Sequence, residues 1–250
     1  MTTIDIAVTK RFIAELELAE TPPAVAELPY VPIALTTEKS ASVADGSVVC
    51  FTDGLSVQHK QDVLNSTLLA QLAANKKYDR EKQTKEWYAY YRSVLEQVGW
   101  VVSEWHFTRY QAAAAAFQVD TVVLQILTAV ATGNEIALAI AVMEALKQNS
   151  ESRASKLFDQ QSHTASDGSF QISCASGDGE NVSMALGAFS FSTTTKVTKI
   201  FWTEFNSSQT DMYKGGQNVV LNEQVYSTVR EDVIKKLGDK AKELVAGIEI

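Results

Sequence analysis

The chain has three histidines, His59, His106 and His163, and two cysteines, Cys50 and Cys174. These residue types most often ligate metals, relay protons or act as nucleophiles. Their spacing argues against such work. No histidine has a second one four places away with an acid between, as a zinc protease needs, and no CxxC pair occurs. The GxSxG elbow, the Walker loop and the dinucleotide GxGxxG are absent. Ser176-Gly-Asp-Gly-Glu180 lacks the alternating acidic ligands of a calcium loop and reads as a hairpin turn. We therefore expect no catalytic residue, metal or cofactor, and no enzymatic activity. Both cysteines sit in apolar runs and read as buried free thiols.

Composition narrows the classes further. The 250 residues are 46% apolar and 21% charged, enough for one sizeable core and a single domain over 1–250. A formal charge of −8 with no basic block excludes a general nucleic-acid binder. Residues 1–58 hold three Lys or Arg against eight Asp or Glu, a local charge of −5; residues 59–111 stand at +2. All four prolines, Pro22, Pro23, Pro29 and Pro32, fall in one window and imply an extended connector. An acidic leader is thus expected, with 1–39 a removable arm. The first residues lack a basic, then apolar, signal sequence, and no run reaches the roughly 18 apolar residues of a membrane span. The expected place of synthesis is a cytoplasm, with release by a non-classical route.

The elements follow from periodicity. Ile4, Ile6 and Val8 alternate as in a strand, and Ser47–Phe51 reads as a second. A helix from Ser56 to Lys77 carries the stripe Leu64, Leu68, Leu72. The next, with Trp87, Tyr91, Val94, Leu95 and Val98, has Gly99 as its stop, so the two make a hairpin. The run Trp87–Tyr91 suits a half-buried helix with exposed tyrosines. From Trp100 through Phe107 the period is two, a strand. Phe170–Cys174, Val182–Leu186 and Lys196–Phe205 read as strands, with Asp178-Gly179 and Gly215-Gly216 as turns. Thr228-Val-Arg-Glu231 makes a capping box for a last helix with Val229, Val233, Ile234, Leu237 and Leu244 inward.

One stretch stands apart. Val119, Val122, Val123, Ile126, Leu127 and Val130 share one helical face; Gly133 ends that helix and Asn134 caps the next, which carries Ile136, Ile140, Met143 and Leu146. Between Arg109 and Lys147 only Asp120, Glu135 and Glu144 are charged. A hairpin so apolar must be enclosed by the fold or by something else. With Phe201 and Trp202, these ten residues are the candidates for contact with a membrane. The plainer reading is a core hairpin packed on a sheet, and a lytic protein would store its membrane-seeking surface in that way.

Two helical hairpins and a mostly antiparallel C-terminal sheet, Gly187–Phe191 through Phe205 among its strands, resemble the Cyt family of cytolytic δ-endotoxins. The resemblance covers about three-quarters of the chain at the level of topology. It implies an α+β fold, a sheet between two layers of helical hairpins, with the N-terminal strand removed on activation. It also implies lysis of bilayers by direct contact with phospholipid, and an insecticidal or virulence-associated role. The partners expected are membrane lipid and further copies of the chain, a homodimer before activation and a homo-oligomer on the membrane. Binding of lipid or another hydrophobic ligand without lysis, or a structural, crystal-forming role, are the alternatives.

Overall fold

A computed structural model describes residues 5–103, 106–177 and 181–250. Three long strands make its centre: β6 (Asp167–Gly177), β7 (Val182–Thr193) and β9 (Thr210–Leu221), antiparallel and in order. On the far side of β6, and parallel to it, lies β2 (Ser47–Phe51), which sets Cys50 beside Cys174. Then come β1 (Ser40–Ala44) and the edge strand β10 (Val245–Ile248), while β3 (Trp100–Val101) and β4 (Thr108–Arg109) flank β9. A separate pair joins β5 (Ala116–Gln118) to β8 (Glu204–Asn206).

Helices cover both faces of β6 and β7, which are buried at nearly every position, whereas the outer β9 alternates buried and exposed residues. One face carries α5 (Val119–Val130) over β7 and β9, α6 (Gly133–Gln148) over β6 and β2, and α7 (Arg153–Ser162) over β1, β6 and β10. The other carries the hairpin of α3 (Val57–Lys77) and α4 (Thr84–Gln97). Outside α3 packs α8 (Glu223–Leu237), and against α8 lies α1 (Ile6–Glu15). The expected α+β class, a mostly antiparallel sheet between helical layers, is the architecture observed.

Because α3 has a neighbour on two sides, it is buried well beyond its leucine stripe. Asp62, Ser66 and Gln71 are as inaccessible as Leu68. Buried polar groups must be paired, and these are. The Gln71 amide donates to the Ala44 carbonyl (3.1 Å), and Ser47 Oγ lies 2.8 and 3.0 Å from the side-chain oxygens of Gln171 and Gln71. Asn75 donates to Asp45 (3.0 Å) and accepts from the Trp87 indole (2.7 Å). The opposite side is held by rings: Phe158 stacks on Phe201 and meets Phe170 edge-on, and Phe170 stacks on its register partner Phe189.

Several local readings change. Residues 6–15 form a helix, not a strand, because Asp5 caps the amides of Ala7 and Val8, and Thr9 and Ile13 turn one face onto the core; Ile4 lies outside the described residues. The run after Trp100 holds only the short β3 and β4, with Trp105 outside the described residues. Within Lys196–Phe205 the chain turns through a 3-10 helix, Ile200–Trp202, before β8 begins. Gly215 and Gly216 are mid-strand in β9; Asp178-Gly179 falls outside the described residues. The cap of α6 is Thr132, boxed with Glu135, and Gly133 is its first residue. The last long helix is capped by Asn222, six residues before Thr228, and stops before Gly238 (φ 54°); Ile234 faces solvent. A short α9 (Lys240–Leu244) then leads into β10. Tyr88 and Tyr91 are buried, stacked with or edge-on to Trp87, rather than exposed.

The leader is fastened along its length. Val25, in the short helix α2 (Pro23–Ala26), is buried, as are Leu16 and Leu18. Arg153 donates to the carbonyls of Leu28 and Pro29 (2.7 and 2.8 Å) and to those of Lys242 and Glu243 (3.1 and 2.6 Å). One guanidinium thus clips the leader to α9. Arg153→Ala should lower the melting temperature by several degrees and speed tryptic cleavage before residue 39, since each lost charged hydrogen bond is worth about 1.5–3 kcal/mol before solvent screening. Unchanged cleavage would place the fastening elsewhere.

Candidate functional site

The α5–α6 hairpin is the most apolar unit of the chain, and its docking geometry is specific. Gly187 and Gly216 are register partners on β7 and β9. A Cβ on Gly216 would lie 2.7 Å from Ile126 Cγ2, and one on Gly187 3.2 Å from the same methyl. The paired glycines make a notch in the sheet, and Ile126 fills it. Without side chains there, helix and sheet come closer and gain dispersion contact.

Within the hairpin the two helices are locked to each other. Thr132 Oγ1 accepts from the Glu135 amide, and the Glu135 carboxylate accepts from the Thr132 amide (2.7 Å) and hydroxyl (2.8 Å). Lys147 near the end of α6 pairs with Asp120 at the start of α5 and lies 3.6 Å from Glu144. Ties from hairpin to sheet are fewer. Lys214 donates to Gln125 and Asn218 to the Val130 carbonyl (2.7 Å each), both at the surface. The Cys174 thiol donates a weak bond to the Glu135 carbonyl (3.3 Å). The neighbouring Cys174 pushes the Cys50 thiol up, and burial adds to it, so Cys50 is not set up as a nucleophile.

Of the ten hairpin candidates, Val119, Val122, Val123, Leu127, Met143 and Leu146 are buried, and Ile126, Val130 and Ile136 are half-buried. Ile140 is 41% exposed. The inward face of α6 is rotated from the one expected, and Leu138, Ala139 and Val142 lie under it instead. The signal was present in the Thr132–Glu135 capping box, which fixes where the helix begins. Phe201 and Trp202 sit on the 3-10 turn against both helices of the hairpin. Phe201 is buried on Phe158, and Trp202 is 42% exposed with the Lys199 ammonium 5.3 Å from its ring. The structure thus assembles the candidates into one apolar layer, with Ile140 and Trp202 at its outer surface.

Seated side chains of this kind contribute about 1.5–3 kcal/mol each, so the hairpin's six carry on the order of 10 kcal/mol. That matches the whole stability of an ordinary domain, roughly 5–15 kcal/mol. The hairpin cannot leave the sheet in water. Among the described residues no helix is long and apolar enough to cross a membrane.

No protein family matches the chain, and no curated protein matches it in sequence. Among solved structures it is similar to the Evf virulence factor, at 14% identity over 94% of this chain and 89% of that one, with a TM-score of 0.40. It is also similar to a delta-endotoxin, at 10% identity over 81% of this chain and 91% of that one, with a TM-score of 0.39. Both scores lie below 0.5, too low to carry a function across.

Two measurements test the site. Leu127→Asp places an unpaired charge at a fully buried position, which costs several kcal/mol; the variant should be unfolded by circular dichroism, and a normal melting temperature would mean the face is open. The second concerns Asp159 on α7. Burial raises its pKa to about 6, with Lys199 pulling the other way. The fold therefore keeps a proton that the unfolded chain has lost above about pH 4. Relative to a neutral side chain, stability is full below that pH and declines until about pH 6. Asp159→Asn should raise the melting temperature at pH 8 and leave it nearly unchanged at pH 4. An equal effect at both would remove the titration from the account.

Proposed function

We propose that the protein lyses membranes by acting directly on lipid bilayers, with the α5–α6 hairpin leaving the sheet for the lipid interface. One observation carries this reading: the hairpin is tied within itself by a capping box and an ion pair, while its attachment to the sheet is almost wholly apolar. Apolar attachment holds in water and loses its advantage against hydrocarbon. The 12 and 16 residues of α5 and α6 span about 18 and 24 Å at 1.5 Å per residue, less than the roughly 30 Å hydrocarbon core. They suit a place in the interface. Undocking bares β6, β7 and β9, whose 11–12 residues reach or exceed the roughly 9–11 of a tilted membrane strand. On this reading copies of the chain assemble on the membrane, and removal of residues 1–39 precedes it. Lys39 is exposed and outside regular structure, open to a protease.

A second reading, binding of an apolar ligand without lysis, is favoured by one feature. A cleft of about 650 Å³ runs between the 31–35 stretch, the end of α6 and β10, lined by Val31, Ile33, Leu35, Leu146 and Ile248. Its size suits a small hydrophobic molecule.

Dye-loaded liposomes separate the two. The intact and trypsin-trimmed protein should both release dye, the trimmed form faster. Gly216→Val overfills the notch under Ile126, a change that costs about 1–3 kcal/mol. It should lower the melting temperature and hasten release, with an environment-sensitive dye on Cys at position 140 (Ile140→Cys) shifting to the blue. Lipid binding with full dye retention would favour the ligand reading, and no interaction with liposomes of any composition would defeat the proposal.

A further inference from the structure

On the opposite side of the molecule, three groups able to bind a metal meet between α3 and α8. His59 and Asp62 stand one turn apart on α3, on the side facing α8, and Glu223 is the first residue of α8. One ligand atom from each lies within 4.8 Å of the others. Asp62 is fully buried and His59 is 8% exposed.

The hydrogen bonding there is unfinished. His59 Nδ1 and Glu223 Oε2 are both buried without a partner. His59 Nε2 faces that same oxygen at 3.8 Å, too far for a hydrogen bond. Such a separation arises when a nitrogen and an oxygen each sit about 2.0–2.2 Å from one shared ion. Arg230 has already arranged the carboxylates: its Nε and one terminal nitrogen donate to the two Asp62 oxygens (2.8 and 2.7 Å), and the same nitrogen donates to Glu223 Oε1. Its charge does not cancel theirs, since two carboxylates face one guanidinium. It holds both acids in place as outer hydrogen-bond partners do around metal ligands, and it leaves Oε2 turned toward the imidazole.

We propose that His59, Asp62 and Glu223 form a site for a divalent cation of the zinc class, with His59 Nε2 and Glu223 Oε2 as its first ligands. One imidazole with two carboxylates suits zinc; calcium or magnesium would call for more oxygens. The Glu223 and Arg230 side chains, 32% and 18% exposed, give the ion a route from solvent and room for water as a fourth ligand. The ion would pin the start of α8 to α3 and satisfy the orphaned Glu223 Oε2.

The test uses the full chain, stripped with chelator and then given Zn²⁺. Equilibrium dialysis should find one tight equivalent, and the melting temperature should rise. His59→Gln and Glu223→Gln, each checked by circular dichroism, should weaken binding by about tenfold or more. Should a variant fail to fold, imidazole NMR of the wild-type protein decides, because with three histidines only the His59 signals should move on adding Zn²⁺. The proposal is overturned if binding is weaker than about millimolar, if folded variants bind as tightly as wild type, or if His106 or His163 responds in place of His59.

Discussion

The close seat of α5 on β7 and β9 is the contact from which one whole side of the molecule is built. It depends on two glycines being register partners, since Ile126 reaches into the gap that neither fills. With α5 held at that distance, the turn at Thr132 sends α6 back over β6 and β2, where Glu135 meets the Cys174 thiol. The ring stack of Phe158, Phe170 and Phe189 continues the layer under α7. Most of these contacts are between apolar surfaces; the Cys174 bond is buried, and the ties from Lys214 and Asn218 lie at the rim.

The other side is made differently. There α3 runs between sheet and α8, and its polar residues are engaged both ways. Gln71 bonds the β1–β2 turn, Asn75 links Asp45 to Trp87, and Asp62 is gripped by Arg230. Such a network is directional, and removing one member strands the rest in a low-dielectric interior. The molecule thus has a half joined through buried hydrogen bonds and a half joined mostly by apolar surface. In water both joins hold; against hydrocarbon the non-directional one, between hairpin and sheet, is the one that weakens.

How much of this the sequence discloses depends on how local the cause is. Ser47–Phe51, the α3 stripe, the stop at Gly99 and the face Val119–Val130 were legible because each follows from periodicity or from one capping residue. The same logic could have found α1, since Asp5 precedes a run in which Thr9 and Ile13 share a face; three alternating residues were too short a sample to separate period 2 from 3.6. Gly215-Gly216 reads as a turn from its neighbours, yet Gly216 answers to Ile126, ninety residues away, and Gly215 to the His106 carbonyl. Thr228–Glu231 fits a capping pattern in mid-helix, where nothing needs a cap. His59 and Asp62 show the same limit from the functional side: their spacing is visible, and the Glu223 that completes them is supplied only by the packing of α8 on α3.

The two halves also differ in how they answer their surroundings. The apolar join has no preferred direction, so its strength is set by the medium on the far side of the hairpin, and hydrocarbon removes most of the advantage that water supplies. The polar join keeps its geometry whatever that medium is, because Gln71, Asn75 and Asp62 are paired internally. An ion held by His59, Asp62 and Glu223 would strengthen only the second, fastening α8 to α3 without touching α5 or α6. A change of medium would then act selectively on the hairpin while the α3–α4–α8 layer holds its side of the sheet. This selectivity follows from where the charges lie: Asp62 and Arg230 are spent inside one layer, and the hairpin's Asp120 and Lys147 are spent on each other.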